Sequence, residues 1–504
     1  MRVWLAIEEA MRLYSRMERS IGNFKFEDQD FESILAHAKR LEGRTLEEVA
    51  NLQGTPQLLQ ELSGKGAAGQ LLQVWFGLPV RDNRPQPDLV NVRMRDGNVV
   101  DVEIKVVPVE KRGGSSIVKQ RCKVTNINYR GLLNEEWLSS RARHKLSTVL
   151  FIYYRYTDIN SWQESTVDKV ITWRLDESAE QEIIYSDWKR TWGFVNDGLA
   201  HKISEGHNSI LGASTAGDSR RVAQPHNAEI SAPRRAFSLK TDFLRTRYEM
   251  ARKPSRYIPL KTLTGGEIRA DLHSDVLERL YPYIGRTLDE VRTELGMRPS
   301  NAKNFAALVI KRILRVSVGN TRALELELAG VKPKTTPVPR NGFYPFEAMS
   351  FPQMDLSEFA EETWEESGFR ADLDCLLIVP IVGIKKTQKY PERIIGRPFF
   401  WVPTIEEQEG IAAEWRHFQQ QVTAGLAAYR RTARGRESGL THASQTNYIH
   451  IRPKGRDGGD DGADSSGRPT QRVCFWLNQS FMETLLKRTF IDPKGFLEAP
   501  ATPR

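Results

Sequence analysis

The clearest structural signal in the chain is a pair of alternating apolar and polar stretches on either side of a turn. Residues 89–92 and 99–107 are rich in β-branched side chains, and Asp96 and Gly97 lie between them. Asp-Gly between two such arms is typical of a β-hairpin with a two-residue turn. The pattern therefore predicts one antiparallel hairpin over residues 88–107.

This hairpin would collect charged side chains on one face. With a two-residue turn, Asp88 lies opposite Lys105 and diagonal to Glu103, and residues two apart on a strand share a face. The apolar residues between them would point into a core: Val102, Ile104 and Val106. Two carboxylates beside a lysine can hold Mg²⁺ and assist phosphodiester hydrolysis.

Two alternatives remain open for this charged face. Acidic and basic residues make up 27% of the chain, so Asp, Glu and Lys at this spacing also fit a solvated strand face. A register shift of one residue would move Asp88 to the opposite side of the sheet.

The remaining periodicity predicts a mixed α/β (α+β) fold. Helical spacing of apolar residues occurs at about 31–41, 45–52, 64–76 and 180–198, and β-rich runs occur at about 118–128 and 147–156. A further hairpin is expected after the last helix, with a polar loop at 212–235. Its counterpart near the chain end has a Gly-, Asp- and Ser-rich loop at 455–468, which suggests flexibility.

The chain repeats itself once. Residues 43–49 (GRTLEEV) recur at 285–291 as GRTLDEV, and residues 102–109 align with 331–338. A single ordered repeat of this length indicates a duplicated domain. We therefore predict a helical extension at 1–30, a domain at 31–247, a linker at 248–270, a second domain at 271–490 and a tail at 491–504.

The two copies differ at the charged hairpin. In the alignment, Lys332 replaces Glu103, Lys334 matches Lys105, and Arg315 replaces Gln73. Because a lysine cannot ligate Mg²⁺, the second copy is predicted to have lost a metal site. The alternative is that neither copy had one.

At the last hairpin, it is the second copy that carries the candidate functional side chains. Arg452, Lys454 and Trp476 in the second copy suit contacts with phosphates and bases. Their proposed counterparts in the first copy are small: Ala213, Thr215 and Ser238. The alternative is an ordinary basic hairpin with Trp476 in a core.

Charge and cysteine content narrow the class of protein. A net charge of +9 suits a polyanionic partner. Three widely spaced cysteines, Cys122, Cys375 and Cys474, argue against a disulfide framework and favour a reducing cytoplasm. No apolar run is long enough to predict a membrane span, and the first 19 residues do not resemble a signal peptide.

Taken together, these stretches resemble the MutH-like endonucleases, and more closely the two-domain, GATC-cutting type II restriction enzymes built from two MutH-like units. The matching stretches are residues 65–69, 71–77, 87–88, 102–108, 126–129, 143–146, 235–240, 449–454 and 475–477. The resemblance implies two tandem restriction-endonuclease folds of the PD-(D/E)XK superfamily, the second a degenerate copy.

The resemblance also implies residue roles. Asp88 and Glu103, with the carbonyl of Ile104, would hold the metal, and Lys105 would be the catalytic lysine. Gln73 stands where the family usually has a helix glutamate, which puts a second metal in doubt. The residues expected to contact DNA are Lys65, Lys145, Ser214, Thr215, Lys240, Arg452, Lys454 and Trp476.

The expected function is that of a Mg²⁺-dependent restriction endonuclease. It would cut double-stranded DNA at a short palindrome, GATC by resemblance, with the C-terminal half as a DNA-binding allosteric domain. Expected partners are double-stranded DNA, a second copy associating transiently on DNA, and a cognate DNA methyltransferase, with no membrane. The alternatives are a mismatch-repair nicking enzyme, a non-catalytic DNA-binding protein and, more remotely, an RNA-processing nuclease.

Overall fold

The structure is a computed structural model in which two compact units are distinguished. It describes residues 26–64, 66–80, 86–112, 115–118, 120–157, 161–216, 220–259, 262, 271–316, 322–432, 435–453, 461–463 and 468–499. The first unit comprises residues up to His201 together with Ile210–Ser255. The second comprises Lys202–Ser209 together with the chain from Arg256 onward.

The first unit combines short helices with a mixed sheet and a smaller antiparallel sheet. Its helices are α1 Phe31–Lys39, α2 Leu46–Leu52, α3 Leu58–Glu61, α4 Ala67–Trp75, α5 Tyr129–Leu132, α6 Arg141–Leu146, α7 Gln181–Asn196 and α8 Thr241–Arg252. Its strands are β1 Leu89–Arg93, β2 Val99–Arg112, β3 Ser115–Ile117, β4 Cys122–Asn126, β5 Thr148–Arg155, β6 Thr166–Arg174, β7 Leu211–Thr215, β8 Arg221–Gln224, β9 Asn227–Pro233 and β10 Arg235–Leu239.

The main sheet has the strand order β1-β2-β5-β6, and β3 also pairs with β2. β2 and β5 are parallel, and the other pairs are antiparallel. The central strand β5 is buried on both faces, because helices α1–α4 cover one side and α8 covers the other. The smaller sheet has the order β4-β10-β7.

The hairpin prediction is confirmed, but its two-residue turn is wrong. The Met94 N–H donates to the Asn98 carbonyl, and the Gly97 N–H donates to the Met94 carbonyl. Gly97 has φ +85°, so the loop is a three-residue turn that ends in a left-handed glycine. The pairing Arg93↔Val99 follows from this turn, and a bulge before Leu89↔Val102 shifts the register once more.

The faces of β2 are as predicted despite the altered register. Val102 and Ile104 belong to the core that α1–α4 build, and Val106 packs against it. Glu103 and Lys105 therefore point to the opposite face, as the alternation of a strand requires.

The second unit repeats this plan with changes. Its helices are α9 Leu272–Leu280, α10 Leu288–Glu294, α11 Phe305–Leu314, α12 Leu324–Leu328, α13 Leu356–Glu361, α14 Gly368–Leu373, α15 Ile405–Thr423 and α16 Gln479–Thr489. Its strands are β11 Tyr257–Ile258, β12 Arg322–Ala323, β13 Pro333–Pro339, β14 Met349–Met354, β15 Leu376–Gly383, β16 Ile394–Ile395, β17 Phe399–Trp401, β18 Tyr429–Thr432, β19 Gly435–Ser438, β20 Ile449–Pro453, β21 Asp461–Ala463, β22 Pro469–Gln471 and β23 Val473–Leu477.

Local geometry shows the same duplication. Thr45 and Thr287 each begin a helix with a reciprocal cap, in which the threonine side chain accepts from the third residue of the helix and a glutamate accepts in return. Parallel pairing of β13 with β15 matches that of β2 with β5. The order β14-β23-β20 matches β4-β10-β7.

A carboxylate anchors the last hairpin in both units. In the first, buried Asp187 on α7 accepts from the N–H groups of Ile210 and Leu211 at 2.7 and 2.8 Å. In the second, Glu414 on α15 accepts from the N–H of Ile449 at 2.8 Å. Because each carboxylate satisfies backbone groups where a strand begins, the hairpin is fixed to its helix.

Three boundary interpretations need correction. The polar loop at 212–235 contains a strand pair, β8 with β9. The proposed linker from 248 begins inside α8, which continues to Arg252. The proposed tail from 491 contains a 3₁₀ turn at Pro493–Leu497, and its Phe496 is buried against Phe343 and Phe490. Most of the loop at 455–468 and of the extension at 1–30 lies outside the described residues.

The second unit also includes a short segment from the middle of the chain. Within Lys202–Ser209, buried Glu205 forms an ion pair with Arg370 at 3.2 Å. A Cβ added at buried Gly206 would lie 1.6 Å from the Asp374 carbonyl oxygen. Only glycine fits this approach without a shift of the backbone.

Candidate active site and its counterpart in the second unit

The β1–β2 hairpin brings three of the predicted groups together. The Asp88 carboxylate accepts a hydrogen bond from the Ile104 N–H at 2.7 Å. The Lys105 ammonium donates to the Glu103 carboxylate, also at 2.7 Å. Asp88 comes just before β1, and the Leu89↔Val102 pairing places it beside Glu103 and Ile104, where the prediction had it opposite Lys105.

Helix α6 adds a second lysine to this group. Lys145 Nζ lies 3.1 Å from Glu103 Oε1 and 3.3 Å from Oε2. The Glu103 side chain is only 3% exposed. A buried carboxylate is thus held by two ammonium groups, an arrangement that compensates the cost of burying its charge.

Burial and neighbouring charges together raise the pKa values of both Asp88 and Lys105. Burial, together with the nearby Glu103 charge, raises the pKa of Asp88 to about 6. Burial alone would lower the pKa of Lys105, but the interactions with Glu103, Cys122 and Asp88 together raise that pKa. A neutral Lys105 general base would need a depressed pKa, so without a metal Lys105 is held as an ammonium.

These residues fit a divalent cation. Asp88 is partly buried beside a second carboxylate, and a cation would relieve the repulsion that raises its pKa. Across the described ranges, no group of three or more His, Cys, Asp and Glu side chains is placed to hold a metal. The available donors are therefore two carboxylates and the backbone carbonyl of Ile104, oxygen ligands of the kind that Mg²⁺ prefers.

One lysine near the site was missed by the sequence analysis. Lys123 on β4 is exposed, and its pKa is lowered by burial of part of the side chain and by the charges of Arg234, Lys105 and Lys145. It is therefore a further cation close to Lys105 and Lys145. A single lysine on a strand carries no pattern that would have marked it.

Gln73, which was predicted to belong to the catalytic group, lies on a helix and not on the β1–β2 hairpin. Gln73 lies half-buried on α4, and its backbone carbonyl accepts from the Leu78 N–H. Its helix packs on the core face of the sheet, opposite Glu103. Lys65 lies outside the described residues.

The second unit contains the same frame with the charges exchanged. Helices α6 and α14 are both six residues long and follow a serine cap, Ser140 or Ser367. In this alignment Asp372 takes the place of Lys145, and Lys332 takes that of Glu103. Lys332 Nζ lies 2.9 Å from Asp372 Oδ1.

Strand register supports this correspondence independently. Residues on β2 are aligned with residues 229 positions later, and residues on β5 with residues 227 positions later. The observed pair Val107↔Tyr153 therefore corresponds to Thr336↔Pro380 in the second unit. That pair is observed in the second unit. The exchanged ion pair therefore occupies equivalent positions in the two copies.

The last hairpins carry different side chains, as predicted, but two of the proposed counterparts are wrong. Trp476 on β23 is paired with Ser350 as Ser238 on β10 is paired with Lys123, so Ser238 is its counterpart. Arg452 pairs with Cys474 as Ser214 pairs with Ala236, so the counterpart of Arg452 is Ser214 and the proposed Ala213 is wrong. Thr215 pairs with Arg235 as Pro453 pairs with Val473, so Thr215 corresponds to Pro453 and not to Lys454.

These hairpins present different side chains. The Arg452 guanidinium lies 4.2 Å from the centre of the Trp476 ring, and Trp476 is partly exposed, which excludes the interpretation that it is a core residue. In the first unit, the Ser214 hydroxyl is hydrogen-bonded to that of Ser238.

Two other residues predicted to contact DNA lie at the ends of elements in the first unit. Thr215 is exposed at the end of β7, and Lys240 is half-buried at the start of α8. Lys454 lies outside the described residues.

Two segments of the chain match a known protein family. The family model described as DNA mismatch repair enzyme MutH matches residues 81–187 and 314–414. The chain carries two MutH-like segments. The first contains the Asp88–Lys145 cluster and the second contains the Lys332–Asp372 pair, so the predicted resemblance and the tandem arrangement are confirmed.

Individual relatives match at different lengths. The type II restriction enzyme Sau3AI of Staphylococcus aureus is 25% identical over 350 residues, covering 67% of this chain and 67% of that enzyme. The DNA mismatch repair protein MutH of Haemophilus influenzae (strain 86-028NP) is 27% identical over 214 residues, covering 42% of this chain and 90% of that protein. MutH of Klebsiella pneumoniae (strain 342) is 27% identical over 219 residues, with 43% and 89% covered.

None of the helices in the described part of the chain is both long and apolar enough to cross a membrane.

Proposed function

We propose that this chain is a nuclease acting on double-stranded DNA, and more narrowly a Mg²⁺-dependent type II restriction endonuclease with GATC as its site. The observation that carries the proposal is the buried Glu103 carboxylate beside Asp88, with Lys105 at 2.7 Å and Lys145 at 3.1 Å. Matches to a restriction enzyme and to mismatch repair proteins support DNA as the substrate.

In the first unit the chain's own residues would bind and orient the reacting groups. Asp88, Glu103 and the Ile104 carbonyl would hold Mg²⁺, which when bound supplies charge stabilisation at the phosphate. Lys105 is fixed by its bond to Glu103 and is positively charged, so it would orient a water and offset developing negative charge. Lys123 and Lys145 would attract the DNA backbone.

The second unit would bind DNA without cutting it. It has a lysine where Glu103 stands in the first unit, and it presents Arg452 against Trp476 on its last hairpin. A second DNA contact would let one copy of the site stimulate cutting at another, or let the unit clamp the same duplex. Cutting both strands of a palindrome would need transient self-association on DNA or two successive nicks.

The proposal is tested by digesting unmethylated and methylated phage DNA with Mg²⁺ or with EDTA, and by sequencing the ends. Double-strand ends at one short palindrome, absent in EDTA, are expected. Protection by methylation would identify the kind of DNA methyltransferase that must accompany the enzyme in its host. Absence of cleavage with Mg²⁺ on every DNA tested would overturn the proposal.

Two rival functions give other products. A mismatch-repair nicking enzyme, which the MutH relatives favour, would leave single-strand nicks on hemimethylated duplexes. A non-catalytic DNA-binding protein, which Gln73 and the basic net charge favour, would bind DNA equally well with and without Mg²⁺ and leave it intact.

A further inference from the structure

The second unit contains a cleft with a volume of about 860 Å³ at the position of the exchanged ion pair. Six basic side chains and two acidic ones line it. The basic ones are Lys303, Lys311, Lys332, Lys334, Lys386 and Arg452, and the acidic ones are Glu347 and Asp372. Focused positive potential of this kind attracts a polyanion.

The two central lysines are oriented by neighbouring groups. The Lys334 ammonium donates to the Ser350 carbonyl at 2.8 Å and lies 4.2 Å from the centre of the Phe351 ring. Lys332 is held at 2.9 Å by Asp372, yet its side chain is 38% exposed, whereas Glu103 is 3% exposed. The second unit therefore presents an oriented ammonium to the cleft where the first unit buries a carboxylate.

We infer that this cleft is a metal-independent site for a backbone phosphodiester of duplex DNA, with Lys332 and Lys334 as its phosphate ligands. The inference rests on the proposed function, since it assigns the DNA contact of the second unit. An ammonium where Glu103 lies would repel a divalent cation and attract a phosphate directly. Arg452 and Trp476 also line the cleft, which favours a polynucleotide over free phosphate.

The direct test gives the positions of Lys332 and Asp372 the charges that Glu103 and Lys145 have in the first unit. In a full-length chain made inactive by Glu103→Gln, Lys332→Glu combined with Asp372→Lys keeps an ion pair and leaves the net charge unchanged. Binding of a fluorescent duplex would be measured in EDTA. Under this condition no metal offsets the repulsion between a phosphate and the Asp88 carboxylate of the first unit. We expect binding about tenfold weaker or worse, and a salt dependence reduced by about one phosphate contact.

A reciprocal variant supplies the control. Glu103→Lys with Lys145→Asp gives the first unit the polarity of the second, and it should stop cleavage while metal-free binding is retained or strengthened. Inorganic phosphate should compete only at concentrations far above those of the duplex. If phosphate displaces the duplex at comparable concentrations, the cleft binds a simple anion and the assignment to DNA fails.

The outcomes separate this inference from the nuclease proposal. If the parent chain fails to cut DNA with Mg²⁺, the nuclease proposal fails whatever the binding result. If the exchanged variant binds the duplex in EDTA as tightly as Glu103→Gln alone, the phosphodiester site is refuted. This holds even when the parent chain cuts DNA normally. Should the double exchange not fold, Lys332→Gln, which still donates to Asp372, must weaken metal-free binding.

Discussion

The two units differ in what precedes the strand that carries Glu103 in the first unit and Lys332 in the second. In the first, β2 has an antiparallel partner, β1, and Asp88 lies at the start of that partner. In the second, β13 is paired with β15, and the described chain before it is the helix α12 at Leu324–Leu328. Among the described residues, the second unit therefore has no strand equivalent to β1.

This comparison establishes one change. The charges at the positions of Glu103 and Lys145 are exchanged in the second unit, as Lys332 and Asp372, within a conserved frame. Residues 317–321, which the same alignment pairs with Asp88 and most of β1, lie outside the described residues.

The largest effect is expected from Glu103→Gln, which removes a charge proposed to bind the metal and leaves Lys105 and Lys145 without their buried anionic partner. Cleavage should fall at least about a hundredfold, since such interactions contribute several kcal/mol to the transition state. Initial rates on cognate DNA would measure it. Glu110→Gln, on the same strand but outside the cluster, is the matched control. Equal losses in both variants would argue against a specific role.

The second unit should be destabilised selectively by Gly206→Ala. The added Cβ would meet the Asp374 carbonyl oxygen at 1.6 Å, so backbone must move at a cost of about 2 kcal/mol or more. Thermal unfolding should show the loss. Gly368→Ala in the same unit, where nothing lies within 4 Å, should be close to neutral. Similar unfolding curves for both would contradict the observed approach.

The hairpins can be compared by truncating equivalent residues. Arg452→Ala should weaken DNA binding roughly 10- to 100-fold, because it removes a cation stacked on Trp476. Ser214→Ala, at the equivalent position of the first unit, should change binding less than about threefold. Binding at one fixed salt concentration would measure both. A larger loss from Ser214→Ala would reverse the assignment of the hairpins.

The smallest effect concerns pH. Because the pKa of Asp88 is raised to about 6, protons would compete with the proposed metal ion below that pH. Mg²⁺ affinity should fall up to about tenfold per pH unit below pH 6 and level off above about pH 7. The same shift makes protonation favour the folded state, so its stabilising effect is present at low pH and lost as pH rises through 6. Calorimetric titrations with Asp88→Asn as control, which should remove the dependence, would test this.

Much of this arrangement could be read from the sequence. The strand alternation placed Val102 and Ile104 in a core and Glu103 on the other face, and the repeat at 43–49 and 285–291 marked the duplication. Each of these signals is local or repeated in the chain, so it can be recognised without knowledge of long-range packing.

The turn and register needed the structure. The Asp96 carboxylate accepts from the Asn98 N–H at 3.0 Å, which favours a longer turn than Asp-Gly alone suggests. Asn91 adopts φ +57° and donates to Asp101, producing the bulge that brings Asp88 beside Glu103. Such side-chain bonds have no periodic trace in a sequence.

Other features had no sequence signal because they depend on packing or on solvent exposure. Lys123 approaches the cluster only because β4 lies next to α6 in space. The strands β8 and β9 gave no strand signal, because apolar residues such as Val222 and Ile230 are exposed and the buried positions do not alternate along either strand.

The ion pair between Glu205 and Arg370 bears on any attempt to divide the gene. A half-protein that begins at Arg256 would leave the Arg370 guanidinium without this buried acceptor and would lack the glycine that closes over Asp374. A gene for the complete second unit would have to include residues 202–209 as well as the chain from Arg256 onward. The two units therefore cannot be encoded as two continuous segments of this sequence.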